Sequence, residues 1–364
     1  MTAPRITLVQ VIPHARMGGM QEVAYALDEG LPSHGVDSTI VDLERGLADH
    51  HGRTALPQYW ESLRRLWRRE DPDVVMAHTM KNALFSLTAA RMAGVERRIV
   101  VVHASRPSLG KTRTRILELL CATGTCTDVV FVGQAAADTF IDLAGSVHRR
   151  AVVIRNGIRL PEASSTDSQK EGVSGRTVDG CRRPADLSGG ETPQLVIAGR
   201  LDVGKGVDIA IKAVQRMDRE VLLHVYGDGE LRHQLEGLAV RGPHPERIVL
   251  HGAVSRDQLM KTYRESSLLL FPSLAEGLPL VLVEAAAAGI PVIAGPLTCN
   301  REVLGDAAAC TTGSDPDEWA ALITDVLEDP ARREAMVKAG LERVEHFTLA
   351  RMVQDYAQLL TAKP

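Results

Sequence analysis

The sequence predicts an α/β protein made of two Rossmann-like doubly wound parallel-sheet domains. Short β-branched runs alternate with helical patterns through the first half, at 6–12, 39–42, 74–77, 99–102, 129–132 and 152–154. That alternation marks a parallel sheet covered by helices. It lapses between Ser164 and Glu191, where Ser, Gly, Asp, Lys and Pro prevail, and resumes at 195–198, 221–226, 248–251, 268–272 and 291–294. A chain of 364 residues also exceeds the size at which a single core keeps growing. The expected division is a first domain over 1–160, a linker or insertion over 161–192, and a second domain over 193–346. Thr348 can then cap a final helix running to about Leu360.

Composition narrows the class. A hydrophobic content of 45% with only 4% aromatic residues fits an α/β enzyme rich in Ala, Val and Leu. A net charge of -4 carries no nucleic-acid signal. Cys121, Cys126, Cys181, Cys299 and Cys310 are scattered, with no Cys-x-x-Cys, so neither a disulfide framework nor a zinc site is expected. The first residues run straight into the strand 6–12 and no apolar run approaches 18 residues. The expectation is a cytoplasmic protein with no membrane span and no export signal.

The elements of the first half place several candidates. Gly18 and Gly19 sit in the first strand-to-helix turn, where glycines let backbone amides approach a ligand, although such pairs more often only make turns. The stretch 59–69 is a basic amphipathic helix whose Trp60, Leu63 and Trp67 can dock on a sheet or lie on an anionic membrane. Asp71 and Asp73 precede a strand, the wrong end of a parallel sheet for a metal-bound substrate. His78 and His103 end strands, where open α/β sheets build their sites, and a histidine there can donate to a sugar hydroxyl or phosphate. Either can instead be an ordinary buried or capping histidine. Arg106, Lys111, Arg113 and Arg115 gather positive charge on what reads as a loop leading into the helix 116–121. Such a loop can receive an anionic acceptor, or simply be solvated.

The second half carries the stronger motifs. Gly199-Arg-Leu-Asp-Val-Gly-Lys-Gly206 follows its first strand and precedes a helix, so Arg200 and Lys205 can neutralise a diphosphate. The spacing imitates a P-loop, but Gly206 stands where that motif needs Ser or Thr for magnesium. Gly227-Asp-Gly-Glu230 is another strand-end glycine turn. Asp315 and Asp317 open a helix, where acids favour the dipole. Glu276 and Glu284 bracket a turn containing Gly277, Leu278 and Pro279. Free amides at the start of the following helix attract phosphate, and Glu284, about one and a half turns in, can face the same crevice. The pair can accept hydrogen bonds from ribose or hexose hydroxyls, or merely favour the dipole and a solvated face.

Taken in order, Gly18-Gly19, His103, Asn156-Gly157-Ile158, Gly199-Arg200 with Lys205-Gly206, Gly227 to Glu230 and Glu276 to Glu284 make the chain resemble the family-four retaining glycosyltransferases of the GT-B fold, glycosyl transferases group 1. The likeness covers nearly the whole chain. It implies two domains facing across a cleft, the first binding acceptor and the second nucleotide sugar, with the helix 347–364 packing back on the first. It further implies transfer of a sugar from a nucleoside diphosphate to an acceptor hydroxyl with retention, no metal and no cofactor beyond the donor. By the resemblance, Arg200 and Lys205 hold the diphosphate, Glu276 orients the donor sugar, Glu284 binds ribose, and His103 contacts the transferred sugar. The backbone at Gly18, Gly19, Gly199, Gly227 and Gly277 to Pro279 approaches the donor, while His78, Arg106 and Lys111 are acceptor candidates. Arg159 and Gln134 depart from the family pattern, which bears on acceptor identity more than on activity. A sugar-nucleotide epimerase or hydrolase on the same fold, and a non-catalytic sugar-nucleotide-binding protein, are the alternatives. A natural-product core, a small polar metabolite or a glycan can be the acceptor, consistent with polysaccharide or secondary-metabolite biosynthesis.

Overall fold

The computed structural model describes residues 5–13, 19–43, 56–143, 145–160 and 191–362, with backbone only for 56–59. Gly18 and most of the stretch from Ser164 to Glu191 lie outside the described residues. The chain divides into two compact units, residues 1–157 with 347–364, and residues 158–346.

The first unit holds strands β1 (Ile6–Ile12), β2 (Val36–Asp42), β3 (Val74–Ala77), β4 (Arg97–Val102), β5 (Asp128–Phe131) and β6 (Ala151–Val153). They form one parallel sheet in the order β2-β1-β3-β4-β5-β6. Every residue of β3 is buried, as helices on both faces require. The amphipathic helix Leu56–Glu70 uses its apolar stripe here: Leu63 and Trp67 are buried in the core, and the Trp67 indole donates to the Ser86 carbonyl. Asp73 accepts from the Thr7 amide and hydroxyl, a structural role at the start of β3.

The helix Leu349–Thr361 belongs to this unit. Thr348 caps it by accepting from the Arg351 amide. A Cβ on Gly157 would stand 2.3 Å from the Thr348 carbonyl oxygen, so this glycine permits the helix to dock. Arg97 secures the far end, donating to the carbonyls of Leu360 and Ala362 while pairing with Asp128 at 3.1 Å.

One expectation fails in this unit. The basic stretch is not a loop: Arg106–Leu109 and Lys111–Ala122 are helical, separated at Gly110 with φ 79°. Pro107 sits in the first turn of its helix, where a missing amide costs nothing, and Arg, Lys and Leu are good helix formers.

The second unit holds β7 (Gln194–Ala198), β8 (Leu222–Tyr226), β9 (Ile248–Gly252), β10 (Leu268–Phe271), β11 (Val292–Ala294) and β12 (Ala308–Cys310). The order is β12-β11-β10-β7-β8-β9, again parallel. The edge strand β12 has no expected counterpart. Its Ala-Ala-Cys sequence has weak β propensity, and pairing with β11 makes it a strand.

Both sheets reverse their winding direction once. In the first, the chain leaves β1 for β2 on one side and returns to β3 on the other; in the second, β7 is flanked by β8 and β10 in the same way. Diverging connections at such a reversal open a crevice at the strand carboxyl ends, where doubly wound sheets bind ligands. Among the described residues, no helix is long and apolar enough to cross a membrane.

Candidate functional site

In the second unit, loops leaving β7, β8 and β10 are knitted together by their backbones. Leu201 donates to the Asp228 carbonyl, Leu231 to Leu201, and Leu274 to Gly204. Two glycines make this possible. Gly206 has φ 60°, and a Cβ there would stand 2.3 Å from the Pro272 carbonyl oxygen. A Cβ on Gly227 would stand 1.8 Å from the Gly199 carbonyl oxygen. The close approach carries Lys205, after β7, to Glu276, after β10, with Nζ and Oε1 2.5 Å apart. The ion pair therefore bridges the β7/β10 reversal.

Arg200 stands apart from that pair. Its side chain is 82% exposed and lies 3.6 Å from Asp202, an arrangement that leaves the guanidinium free to turn. Past Glu276, the residues Gly277, Leu278 and Pro279 are buried, so they offer backbone rather than side chain to a ligand. No side chain caps the helix Leu280–Ala288 that follows; the Leu282 amide donates to the Pro279 carbonyl, and the amides before it belong to the helix start, where anions are favoured. Because the helix begins at Leu280, Glu284 lies little more than one turn in, less than the sequence spacing implied.

Glu284 is only 7% exposed and is held by Arg256, whose Nε is 2.9 Å from Oε1. The Tyr263 hydroxyl is buried without a hydrogen-bond partner among the described residues, and burial together with the Glu284 charge pushes its ionisation well above the usual phenol range. Burial and the Glu276 charge push the Cys299 thiol up to about 12, which makes it inert as a nucleophile. Arg256, Tyr263 and Cys299 carried no signal in the sequence: the first two reach the site from the helix Arg256–Glu265, and Cys299 reaches it from Thr298–Leu304.

In the first unit, Gly19 opens the helix Gly19–Gly30 after β1. His78 follows β3 and His103 follows β4. His78 Nδ1 lies 3.3 Å from His103 Nε2, and His78 Nε2 lies 2.9 Å from Gln10 Oε1 on β1. His78 is 1% exposed with both ring nitrogens engaged. The residue is interior. His103 is half-buried. Burial, helped for His78 by its neighbouring histidine, pulls His78 well below the ordinary imidazole range, and burial lowers His103 to about 4.

Beside the two basic helices lies a cavity of about 670 Å³ lined by Arg106, Lys111, Thr114, Arg115, Glu118 and Thr139. No ion pair is made by Arg106, Lys111 or Arg115 among the described residues. The Arg106 amide donates to the Thr139 hydroxyl at 2.8 Å, fixing one wall. Among the described residues, no three His, Cys, Asp or Glu side chains gather as a metal site.

Two family models account for most of the chain. Residues 17–161 match Glycosyltransferase Family 4, and residues 183–343 match Glycosyl transferases group 1. The chain is 27% identical over 330 residues to a D-inositol 3-phosphate glycosyltransferase of Xylanimonas cellulosilytica, covering 84% of this chain and 72% of that one. It is 28% identical to a GDP-mannose-dependent monoacylated alpha-(1-6)-phosphatidylinositol monomannoside mannosyltransferase of Corynebacterium glutamicum, covering 75% and 69%. Among solved structures, Anabaena HepE in complex with UDP and glucose superposes with a TM-score of 0.77 at 20% identity, over 98% of this chain and 100% of that one. Sucrose-phosphate synthase from Thermosynechococcus elongatus gives 0.76 at 17% identity, over 98% of both chains.

Proposed function

Because the chain belongs to the group 1 glycosyltransferases and has the GT-B fold, we propose that it moves a sugar from a nucleoside diphosphate to an acceptor hydroxyl in the cytoplasm, with retention and without a metal. The observation that carries this reading is the Lys205 and Glu276 pair at the β7/β10 reversal, beside an uncapped helix start. A diphosphate arriving there would draw Lys205 away from the carboxylate. Arg200, exposed and loosely held, would close on the same charge, and the first amides of the helix would complete its neutralisation. Charge compensation by cations and amides is the role a metal plays in other transferases, and here side chains would supply it.

Glu276, released from Lys205, would accept hydrogen bonds from hydroxyls of the transferred sugar. Glu284, kept in place by Arg256, would accept from the ribose. His103 would contact the transferred sugar, as the family resemblance implies. In the reaction, the bond from the anomeric carbon to the diphosphate oxygen breaks and a bond to the acceptor oxygen forms. The departing diphosphate takes the acceptor's proton on the same face, so no protein nucleophile is needed.

The acceptor end is argued from the cavity at Arg106, Lys111 and Arg115. Three cations that make no ion pair among the described residues suit an acceptor bearing a phosphate. The names of the two relatives above, an inositol 3-phosphate enzyme and a phosphatidylinositol mannoside enzyme, point the same way. Peripheral membrane contact through the helix Leu56–Glu70 would rest on charge, because its Leu63 and Trp67 are spent in the core.

The test is to incubate purified protein with UDP-, GDP- and ADP-sugars, with inositol 3-phosphate or inositol as acceptor and then with cell extract, while measuring diphosphate release. Release that requires an acceptor supports the transferase. Release without one favours a hydrolase, and binding without release under any condition favours a sensor.

A further inference from the structure

The hydrogen-bond chain from Gln10 through His78 to His103 determines where its protons sit. The Gln10 side chain is buried, and one end of its amide faces the Ala24 carbonyl at 3.0 Å and the Ser38 hydroxyl at 2.9 Å. A carbonyl oxygen only accepts, so the atom facing it is the NH₂ and the amide oxygen faces His78. That oxygen also only accepts, so His78 carries its proton on Nε2, 2.9 Å away. A neutral imidazole has one proton, which makes His78 Nδ1 an acceptor. Its partner, His103 Nε2 at 3.3 Å, must then be the donor. With His103 neutral as well, its one proton is committed and Nδ1 is left with a bare lone pair. That nitrogen has no partner among the described residues.

We propose that Gln10 and His78 are positioning residues that lock His103 in the Nε2–H tautomer, so that His103 accepts a hydrogen bond from a substrate hydroxyl at Nδ1 and does not donate to one. From sequence alone, His103 can donate to a hydroxyl or a phosphate; the chain of contacts reverses that polarity. A lone pair repels phosphate oxygen and selects for O–H, so the group met by His103 is a hydroxyl and not the diphosphate. The three residues lie on or just after β1, β3 and β4, successive strands of the sheet, so the parallel register itself holds the relay. The assignment of a sugar hydroxyl rests on the transferase reading. The tautomer does not.

Nitrogen-15 NMR of the full-length protein without substrate tests the tautomer at pH 7. His103 should show a protonated Nε2 and a bare, pyridine-like Nδ1. A protonated Nδ1, or averaging between the two forms, overturns the proposal. The variant Gln10→Leu removes the anchoring oxygen and should give mixed tautomers at His103 with kcat lower by about tenfold. Gln10→Glu, protonated in its buried site, keeps an oxygen toward His78 and a donor toward Ala24, and should restore both readouts. If Gln10→Leu does not fold, the unmodified protein still decides the tautomer.

The polarity is tested with donor analogues in which one sugar hydroxyl at a time is replaced by hydrogen or by fluorine. Fluorine can accept but cannot donate. At the hydroxyl that meets His103, both replacements should lower kcat/KM equally, by about tenfold or more. Retained activity with fluorine but not with hydrogen overturns the assigned polarity. An absence of any transfer with unmodified donors overturns the transferase reading and leaves the NMR result standing.

Discussion

Each unit has a winding reversal of its own, and the two reversals carry opposite electrostatics. At the β7/β10 reversal the side chains are charged and paired, Lys205 with Glu276 and Arg256 with Glu284. At the β1/β3 reversal and the adjacent strand they are neutral, Gln10, His78 and His103, tied by hydrogen bonds in series. An ion pair can exchange one partner for an incoming anion at modest cost, because the cation ends as well compensated as it began. A neutral relay cannot make that exchange, and its value lies in a fixed direction of donation. On the proposed reading, the charged site receives the diphosphate and the neutral one orients an uncharged group.

The sharpest way to break this comparison is to remove the exchanging cation. Lys205→Ala should lower kcat by about 10²- to 10³-fold, since it deletes a charge aimed at the departing diphosphate. It also leaves the Glu276 carboxylate, 14% exposed, without its cation, which should cost up to about 3 kcal/mol of stability. Steady-state kinetics with a chemical-denaturation curve separates the two effects. Rates near those of the unmodified enzyme would show that Lys205 does not meet the diphosphate.

The charged site was far more legible in the sequence than the neutral one, for a physical reason. Gly199-Arg200 and Lys205-Gly206 lie within eight residues, and the glycines that let the loops touch announce themselves by type. Glu276 and Glu284 are likewise bracketed by a strand end and a helix start. Gln10 reads as one polar residue in an apolar strand, and only the sheet order brings it to His78 and, through it, to His103. The same limit hid Arg256, which reaches Glu284 from the helix Arg256–Glu265. It hid β12 as well, whose Ala-Ala-Cys becomes a strand by pairing with β11. The basic residues around Gly110 read as a loop because Pro and Gly punctuate a short stretch, although Pro107 stands where a helix tolerates it. Patterning revealed the layers, and tertiary contact decided which side chains share a crevice.

A smaller effect distinguishes the two carboxylates of the charged site. Glu284→Gln keeps the shape and one acceptor oxygen but removes the charge that Arg256 balances. The donor KM should rise about tenfold with kcat changed by less than about threefold, as expected for a contact made equally in the ground and transition states. A fall in kcat at constant KM would place Glu284 among the groups that respond to the reaction itself, and would erase the difference in role between it and Glu276.

The neutral site should report itself through pH. In the folded chain, burial holds His78 well below its ordinary value and His103 at about 4, whereas an unfolded imidazole titrates near 6.5. Between those limits the unfolded chain binds more protons than the folded one, so stability rises with pH there. The contribution of these histidines is complete above about 6.5 and is lost progressively as pH falls toward 4. His224 in the second unit is lowered in the same direction by burial and by His251, so the whole-chain curve contains more than one histidine. Denaturant midpoints measured from pH 7.5 down to 4.5 for the unmodified protein, His103→Gln and His224→Gln should separate them. The slope should flatten more in His103→Gln than in His224→Gln, because His224 is the more solvated ring. Equal slopes in all three proteins would mean that His103 is not held neutral by its surroundings, and the electrostatic contrast between the two units would fall with it.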